Sequence, residues 1–217
     1  MMNYCSHCGA KVELKIPPGD HLPRHMCSIC GAIHYENPKM VVGAIPEWED
    51  KILLCRRAIE PRHGFWTLPA GFMENNETTT QAAVRETAEE AHARVEIVAL
   101  YALYNLPHIS QVHLFFRSRL LDLNFMPGSE SLEVALFSEA TIPWEELAFS
   151  SVRNTLRHFF EDRRKGEFAL HFGDITLPLD KKKGAQGAPR LLTNPVFFGR
   201  RGFVFLSDDQ RGRLIES

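Results

Sequence analysis

The 217-residue chain has no apolar run that approaches the roughly 20 residues needed to span a bilayer, so we expect no membrane association. It also has no charged-then-apolar leader before Cys5, which predicts the absence of a secretory signal. No internal repeat or low-complexity tract is visible. The composition, 44% hydrophobic and 24% charged, is that of a soluble globular protein, and we expect a reducing, cytoplasmic location in which disulfides are rare.

A large net charge is absent as well, but the charge is unevenly distributed. The chain carries −2 overall, whereas residues 181–217 hold eight Lys or Arg and three acidic residues. The acidic remainder argues against nonspecific nucleic-acid binding, and no specific nucleic-acid partner is expected. Residues 177–217 are predicted to be a basic C-terminal extension of unknown structure. A solvated terminal segment is the favoured interpretation, with contact to a polyanion as the alternative.

Four of the five cysteines form two C-x-x-C pairs, Cys5/Cys8 and Cys27/Cys30, and each pair is followed by Gly. Two such turns can supply the four thiolates of a tetrahedral zinc site. Disulfides are disfavoured in a reducing compartment, and a redox motif is disfavoured because neither pair lies in a βαβ pattern. Four thiolates leave no open position, so the predicted Zn²⁺ is structural. Residues 1–37 are therefore predicted to be a zinc ribbon that folds around one ion.

Residues 38–176 alternate short apolar runs with amphipathic segments, which predicts an α/β domain. Cys55 lies in one of the apolar runs and is expected to be a buried thiol. Strands are predicted at residues 40–46, 52–57, 65–71, 94–106, 111–120 and 132–138. Helices are predicted at residues 77–91 and 149–164.

The first of these helices carries Glu86, Glu89 and Glu90. Residues three and four apart share a helix face, so the three carboxylates repel one another unless a cation lies between them. Mg²⁺ or Mn²⁺ would suit this face, since such ions prefer carboxylate oxygens and also bind substrate phosphates. A solvated acidic face is the alternative, but the fixed spacing from Gly71 through Glu77 favours a metal site.

From Gly71 to Glu90 the sequence resembles the signature of the Nudix hydrolases, G-x5-E-x7-R-E-U-x-E-E-x-G-U, where U is a bulky aliphatic residue. All six charged or glycine positions through Glu90 match. Thr87 and His92 depart from the pattern, and Ala93 is smaller than it prefers. None of the three carries the chemistry, and His92 can adopt the left-handed backbone in which helices often end. The resemblance implies an α/β/α sandwich with a mixed sheet, preceded by the small N-terminal ribbon.

The resemblance also implies roles for individual residues. Glu86 and Glu90 would be the main metal ligands, and Glu89 a ligand or the group that takes a proton from water. The backbone carbonyl of Ala70 would be a further ligand. Structural support would come from Gly71, Glu77 and Arg85, with Arg85 pairing with Glu77. A further acidic residue is expected just before a late strand; Glu133 is the first choice and Glu130 the second.

A ribbon ahead of this signature resembles two groups, the NADH pyrophosphatases and the plant-type FAD/ADP-ribose pyrophosphatases with their bacterial relatives. The chain lacks the S-Q-P-W-P-F-P-like motif of the first group at the corresponding residues, 104–111. It resembles the second group at residues 37–43, 53–57, 63–71, 127–133 and 147–151. The implied activity is Mg²⁺-dependent hydrolysis of the diphosphate bond of a small dinucleotide, FAD or ADP-ribose, with release of AMP.

Other functions are left open: an NADH pyrophosphatase, a house-cleaning nucleoside triphosphatase, or a non-catalytic nucleotide sensor. The sensor is disfavoured because all three glutamates of the helix are present. A homodimer is also left open. Candidate phosphate contacts are Arg56, Arg57 and Arg62. Trp66 and Phe72 could stack on a base or pack in the core, and at most one of Tyr101 and Tyr104 is expected to line the site because their spacing is odd.

Overall fold

A computed structural model describes residues 2–176 of the chain. Its N-terminal part is a three-stranded antiparallel sheet, β1 (Val12–Lys15), β2 (Arg24–Cys27) and β3 (Ile33–His34), in that order. The two C-x-x-C turns have the same hydrogen bonding. Gly9 N–H donates to Cys5 O at 2.9 Å, and Gly31 N–H donates to Cys27 O at 3.0 Å. Two equivalent turns therefore present the four cysteines to one another.

The rest of the described chain forms a domain built on one eight-stranded sheet. Its strands are β4 (Lys39–Trp48), β5 (Lys51–Arg57), β6 (Trp66–Thr67), β7 (Ala70–Phe72), β8 (Val95–Leu106), β9 (Gln111–Leu120), β10 (Ser131–Phe137) and β11 (His171–Asp174). The order is β10-β5-β4-β9-β8-β11, with β6 paired to β5 and β7 to β4. The pairs β4/β9 and β8/β11 are parallel and the others antiparallel, so the sheet is mixed as predicted.

Two helices cover opposite faces of this sheet. On β9 the side chains of Leu114 and Phe116 pack with Ala82 and Ala83 of α1 (Thr79–Ala91), whereas Phe115 packs with α2 (Ser150–Lys165). Successive side chains of a strand point to opposite faces, so α1 and α2 lie on different sides. This arrangement confirms the predicted α/β/α sandwich.

The ends of α1 follow from its sequence. Thr78 is the N-cap: its hydroxyl accepts the N–H of Gln81, and the Gln81 side chain accepts the N–H of Thr78. This reciprocal capping starts the helix at Thr79, two residues after the predicted start. At the other end His92 has φ 48° and its N–H donates to Ala88 O, the left-handed ending expected for it.

Two predicted features differ from the structure. The strand expected at residues 65–71 is two short strands, β6 and β7, which pair with different neighbours. Strand β11 was not predicted. It lies beside β8 and is tied to α2 through buried Asp162, which accepts hydrogen bonds from Tyr101 and His171 at 3.0 and 2.7 Å. The predicted extension at residues 177–217 lies outside the described residues.

Among residues 2–176 no helix is both long enough and apolar enough to cross a membrane.

Candidate active site

A cavity of about 940 Å³ lies between the C-terminal half of α1, strand β7, the start of β9 and the first turn of α2. Six carboxylates and three guanidinium groups line it: Glu60, Glu74, Glu86, Glu89, Glu90, Glu130, Arg57, Arg62 and Arg85. The three glutamates predicted on the helix face are therefore gathered at one wall of a cavity large enough for a small ligand.

Arg85 organises the loop before α1 and the first two carboxylates. It forms a two-pronged ion pair with Glu77, with N–O distances of 3.0 and 2.7 Å. Its Nη1 lies 2.8 Å from Glu86 and 3.0 Å from Glu89, and its Nη2 donates to Phe72 O at 3.1 Å. The pairing with Arg85 lowers the pKa of Glu77 to about 2. One guanidinium thus connects loop, strand β7 and helix face.

Glu90 and Glu86 are the buried members of the carboxylate group, at 6% and 8% exposure. Burial raises the pKa of Glu90 to about 8, even though its carboxylate accepts the N–H of Ala70 at 3.2 Å. Burial also raises the pKa of Glu86. The negative charges of Glu86 and Glu130 add to the effect at Glu90. Two buried carboxyl groups so close together favour protonation or a bound cation.

Gly71 is required by its close approach to Glu86. A Cβ atom at residue 71 would lie 2.3 Å from Glu86 Oε2. Any larger residue would push the carboxylate away from strand β7. Ala70, whose carbonyl was predicted as a ligand, also lines the cavity.

The structure distinguishes the two candidates for the acidic residue expected beyond the helix. Glu133 does not line the cavity; its carboxylate lies 3.7 Å from Arg56 Nη1. Glu130, the second choice, does line the cavity. It belongs to a turn fixed on the end of α1, where Gly128 N–H donates to Glu90 O at 2.9 Å and Ala58 N–H to Glu130 O at 2.8 Å.

Among the candidate phosphate contacts, Arg57 and Arg62 line the cavity and Arg56 does not. Arg57 is buried and donates to Pro61 O at 2.9 Å, and its positive charge acts on Glu90. Arg56 instead donates to Gly64 O at 3.0 Å.

Of the aromatic candidates, one lines the cavity and three do not. Phe72 lines the cavity and is 49% exposed, whereas Trp66 is buried in the core beside Phe137. Tyr101 and Tyr104 both belong to the core and neither lines the cavity. Irregular pairing of β8 with β9 near residues 97–102 places both tyrosines in one cluster despite their odd spacing.

One wall of the cavity is not predicted from the sequence; it is formed by Gln111, His113 and Phe115 of β9 together with Ser151 of α2. Alternation by two along β9 was the available signal, because residues 111, 113 and 115 share a face. His113 Nδ1 lies 3.0 Å from Ser151 Oγ and its Nε2 lies 2.9 Å from Gln111 Oε1.

The four cysteines of the ribbon form a separate cluster. Their sulfur atoms all lie within 4.8 Å of one another, and the Cys5–Cys30 and Cys8–Cys27 sulfurs are 3.6 and 3.5 Å apart. Four sulfurs placed tetrahedrally at the usual Zn–S distance of about 2.3 Å would be about 3.8 Å apart. The cluster therefore fits a zinc ion closely. Cys55 is buried in the core, as predicted.

The carboxylate site fits a divalent cation through its chemistry. Its oxygen donors are the hard ligands that Mg²⁺ and Mn²⁺ prefer. Burial raises the pKa values of Glu86 and Glu90 despite the nearby Arg85 and Arg57, so a cation would stabilise their ionised forms. Within the described residues only the cysteines bring all their ligand atoms within 4.8 Å. Glu86 and Glu89 face Arg85 and Glu90 faces Ala70, so binding a cation requires their side chains to turn.

Comparison with known families confirms the resemblance to the Nudix hydrolases. A family model described as the NUDIX domain matches residues 37–163, more than half of the chain. The chain belongs to the Nudix hydrolase family. A second model, described as Nudix N-terminal, matches residues 3–36 and so covers the four-cysteine ribbon.

Several relatives with known names or structures resemble this Nudix protein. The crystal structure of a NUDIX hydrolase from Nitrosomonas europaea is 60% identical, has a TM-score of 0.79, and covers 81% of this chain and 100% of its own. The ADP-ribose pyrophosphatase of Methanocaldococcus jannaschii is 31% identical over 53% of this chain and 69% of its own length. The NAD-capped RNA hydrolase NudC of Pseudomonas aeruginosa is 27% identical over 73% of this chain, which spans 54% of that relative.

Proposed function

We propose that the protein hydrolyses the diphosphate bond of ADP-ribose in a Mg²⁺-dependent reaction. Water attacks one phosphorus, the bridging P–O bond breaks, and AMP and ribose 5-phosphate leave. The observation that carries the proposal is the buried carboxylate pair Glu86 and Glu90 facing a cavity also lined by Arg57 and Arg62. FAD, which contains the same AMP half, would give AMP and FMN and is the second candidate substrate.

Glu86, Glu89 and Glu90, with the carbonyl of Ala70, would hold the divalent cation. When bound, the cation neutralises the diphosphate and makes its phosphorus more electrophilic. Mn²⁺ has the same preference for oxygen ligands and would substitute.

Glu130 is proposed as the group that takes the proton from the attacking water. It lies in the cavity, and no side-chain hydrogen bond or ion pair engages its carboxylate within residues 2–176. Glu89 is the alternative acceptor, but its carboxylate is held by Arg85 Nη1 at 3.0 Å. A free carboxylate accepts a proton more readily than one engaged by a guanidinium.

The positively charged residues would hold the substrate. Arg57 is fixed by its bond to Pro61 O and stacks over Phe149 at 5.1 Å, so its guanidinium has few alternative positions. Arg62 would contact the other phosphate or the second half of the substrate. Such preorganised donors stabilise the charge that develops on the phosphoryl oxygens.

ADP-ribose is favoured over a nicotinamide dinucleotide by two observations. One relative is named an ADP-ribose pyrophosphatase, and the motif typical of NADH pyrophosphatases is missing at residues 104–111. The NudC relatives make an NADH-like or NAD-capped substrate the competing proposal.

A panel of ADP-ribose, FAD, NADH, an NAD-capped oligonucleotide and dGTP, measured with Mg²⁺ under identical conditions, separates these proposals. We expect ADP-ribose or FAD to have the highest kcat/KM. A lead of tenfold or more for NADH or the capped oligonucleotide would replace this substrate with the competing one, and a lead for dGTP would indicate a nucleoside triphosphatase.

For the zinc ribbon we propose one structural Zn²⁺ held by Cys5, Cys8, Cys27 and Cys30. His34 Nε2 lies 3.3 Å from the sulfur of Cys5, and His7 N–H donates to that sulfur at 3.4 Å. These contacts orient and partly neutralise a thiolate ligand.

A further inference from the structure

A chain of three polar side chains crosses the cavity wall formed by β9 and α2. It runs from Ser151 to His113 at 3.0 Å and from His113 to Gln111 at 2.9 Å. All three residues line the cavity, and none is used in the phosphate chemistry proposed above. A buried polar chain of this kind has a direction, because each proton can be donated only once.

The buried end sets the direction. Ser151 is 1% exposed, so its hydroxyl proton requires an acceptor, and His113 Nδ1 is the acceptor that lies in reach within residues 2–176. Nδ1 therefore accepts, which places the imidazole proton on Nε2 and makes Nε2 donate to Gln111 Oε1. Burial lowers the pKa of His113 to about 4, so the ring is neutral at physiological pH and keeps this tautomer.

This tautomer of His113 fixes the orientation of the Gln111 side-chain amide. The side-chain carbonyl oxygen of Gln111 accepts the N–H of His113, so the amide NH₂ of Gln111 points away from His113. Gln111 is only partly buried and lines the cavity, and its amide nitrogen has no hydrogen-bond partner in the described part of the chain. A free Gln side chain could turn over and offer either atom, whereas this one is held as a donor.

The register of the sheet separates the backbone of Gln111 from that of Gly71, the residue that Glu86 closely approaches. Gly71 on β7 pairs with Val42 on β4, and Lys39 on β4 pairs with Gln111 on β9. Gln111 is thus three residues along and two strands across from Gly71. At about 3.4 Å per residue and about 4.8 Å per strand, the two Cα atoms are about 14 Å apart.

The surroundings of Gln111 suit an aromatic ring better than a phosphate. Phe72 and Ile109 line the same cavity and are each 49% exposed. Lys39 Nζ lies 5.0 Å over one face of the Phe72 ring, so the other face and Ile109 offer apolar surface for stacking. Arg85 contacts Glu86 and Glu89, and the charge of Arg57 acts on Glu90, so these two guanidinium groups lie near the carboxylates. A flat base between apolar side chains, with one donor at its edge, matches this end.

We infer that Gln111 recognises the adenine base by donating its amide N–H to a ring nitrogen, and that His113 and Ser151 are positioning residues that fix the amide. The inference rests on the proposed function only in taking a substrate with an AMP half, which ADP-ribose, FAD and NADH share. It adds a specificity determinant at the end of the cavity opposite the metal ligands.

The test uses ADP-ribose and its 1-deaza, 3-deaza and 7-deazaadenine analogues, each of which replaces one ring nitrogen by C–H. We expect the wild type to have a kcat/KM about tenfold lower for one analogue, mainly through KM. Gln111→Ala should cleave ADP-ribose and that analogue equally well while keeping its kcat. Ser151→Ala should lose the same discrimination, because the tautomer of His113 is no longer fixed.

Gln81→Ala is the matched control: it removes the same side chain from the exposed N-terminus of α1 and should keep the wild-type ratios. If Gln111→Ala also keeps them, or if the wild type treats all three analogues like ADP-ribose, the inference is wrong. Calorimetry with AMP separates this from the proposed activity, since product binding needs no turnover. A tenfold weaker AMP complex for Gln111→Ala supports the inference even if ADP-ribose is not cleaved, and an unchanged complex contradicts it.

Discussion

At the scale of single residues, the stability of the site depends on Glu90. Its pKa is raised to about 8 in the folded protein from an ordinary value of 4.5, so between these pH values the folded state holds a proton that the unfolded state has lost. The free energy of unfolding of the metal-free protein should therefore fall as pH rises from about 5 to 8. A bound cation replaces that proton, so stabilisation by Mg²⁺ should grow over the same range.

Thermal unfolding from pH 5 to pH 8, after dialysis into Mg²⁺-free buffer and again with Mg²⁺ restored, measures both effects. Glu90→Gln cannot titrate and should show a flatter pH dependence and little stabilisation by Mg²⁺. Parallel curves for the wild type and this variant would show that Glu90 is not the group responsible.

Two neighbouring glutamates of similar chemistry provide a second test at this scale. Glu130 faces the cavity whereas Glu133 contacts Arg56 outside it. We expect Glu130→Gln to lower kcat by about 100-fold or more, the usual contribution of a general base, and Glu133→Gln to change it little. Steady-state rates at saturating Mg²⁺ decide the matter. A larger effect at Glu133 would restore the first choice made from sequence.

At the scale of elements, the loop before α1 is held by the ion pair of Glu77 and Arg85. Glu77→Gln removes the negative charge of the two-pronged ion pair with Arg85. Arg85 is then held only by its contacts with Glu86 and Glu89 and by Phe72 O, so the loop is no longer fixed to the helix. Both the melting temperature and kcat should fall, unlike in a purely catalytic variant. Glu96→Gln, which alters an exposed, longer ion pair with Arg119, is the matched control and should change neither. A normal melting temperature for Glu77→Gln would mean that the pair does not support the loop.

The elements also show how far the sequence predicts the structure. The signature helix and the long strands β8 and β9 follow from regular periodicity, and the ends of α1 from Thr78 and His92. Strand β11 has only four residues and exists through its pairing with β8 and the buried Asp162 contacts, which are properties of the tertiary fold. No local sequence pattern predicts such a strand.

In the site too, residues set by a local pattern could be predicted from the sequence, whereas residues set by tertiary contacts could not. The glutamates of the proposed metal site could be predicted because they lie on one helix at fixed spacing. Glu130 lines the cavity and Glu133 does not, because the turn that carries Glu130 is fixed by Gly128, where a Cβ would lie 1.8 Å from Glu89 O. Gln111 and His113 were missed because their chemistry depends on Ser151, which is far away in sequence and is brought near only by the packing of α2 on the sheet.

At the scale of the whole molecule, the chain combines a small ribbon with a larger catalytic domain. The ribbon leaves large apolar side chains exposed, among them Leu14, Ile16 and Ile29 at 60% or more. With so little apolar burial, we expect its fold to depend largely on the proposed zinc ion. Elemental analysis of protein purified without added metal should find close to one zinc per chain.

Replacing Cys27 and Cys30 by Ser should abolish zinc binding and expose residues 1–37 to proteolysis, while the sheet domain keeps its own unfolding transition. Cys55→Ala, which changes a buried thiol outside the ribbon, should retain the zinc. A double variant that stays zinc-loaded and protease-resistant would contradict the assignment of the four thiolates.

The central claim, that the buried carboxylates of α1 drive diphosphate hydrolysis, is tested most directly by following AMP release from ADP-ribose with and without Mg²⁺. The wild type should release AMP and ribose 5-phosphate in equal amounts only with the divalent ion. Glu90→Gln should fold normally yet lose at least about 100-fold in kcat at saturating Mg²⁺. Turnover by the wild type without divalent ions, or a Glu90→Gln variant that keeps most of its kcat, would contradict the account.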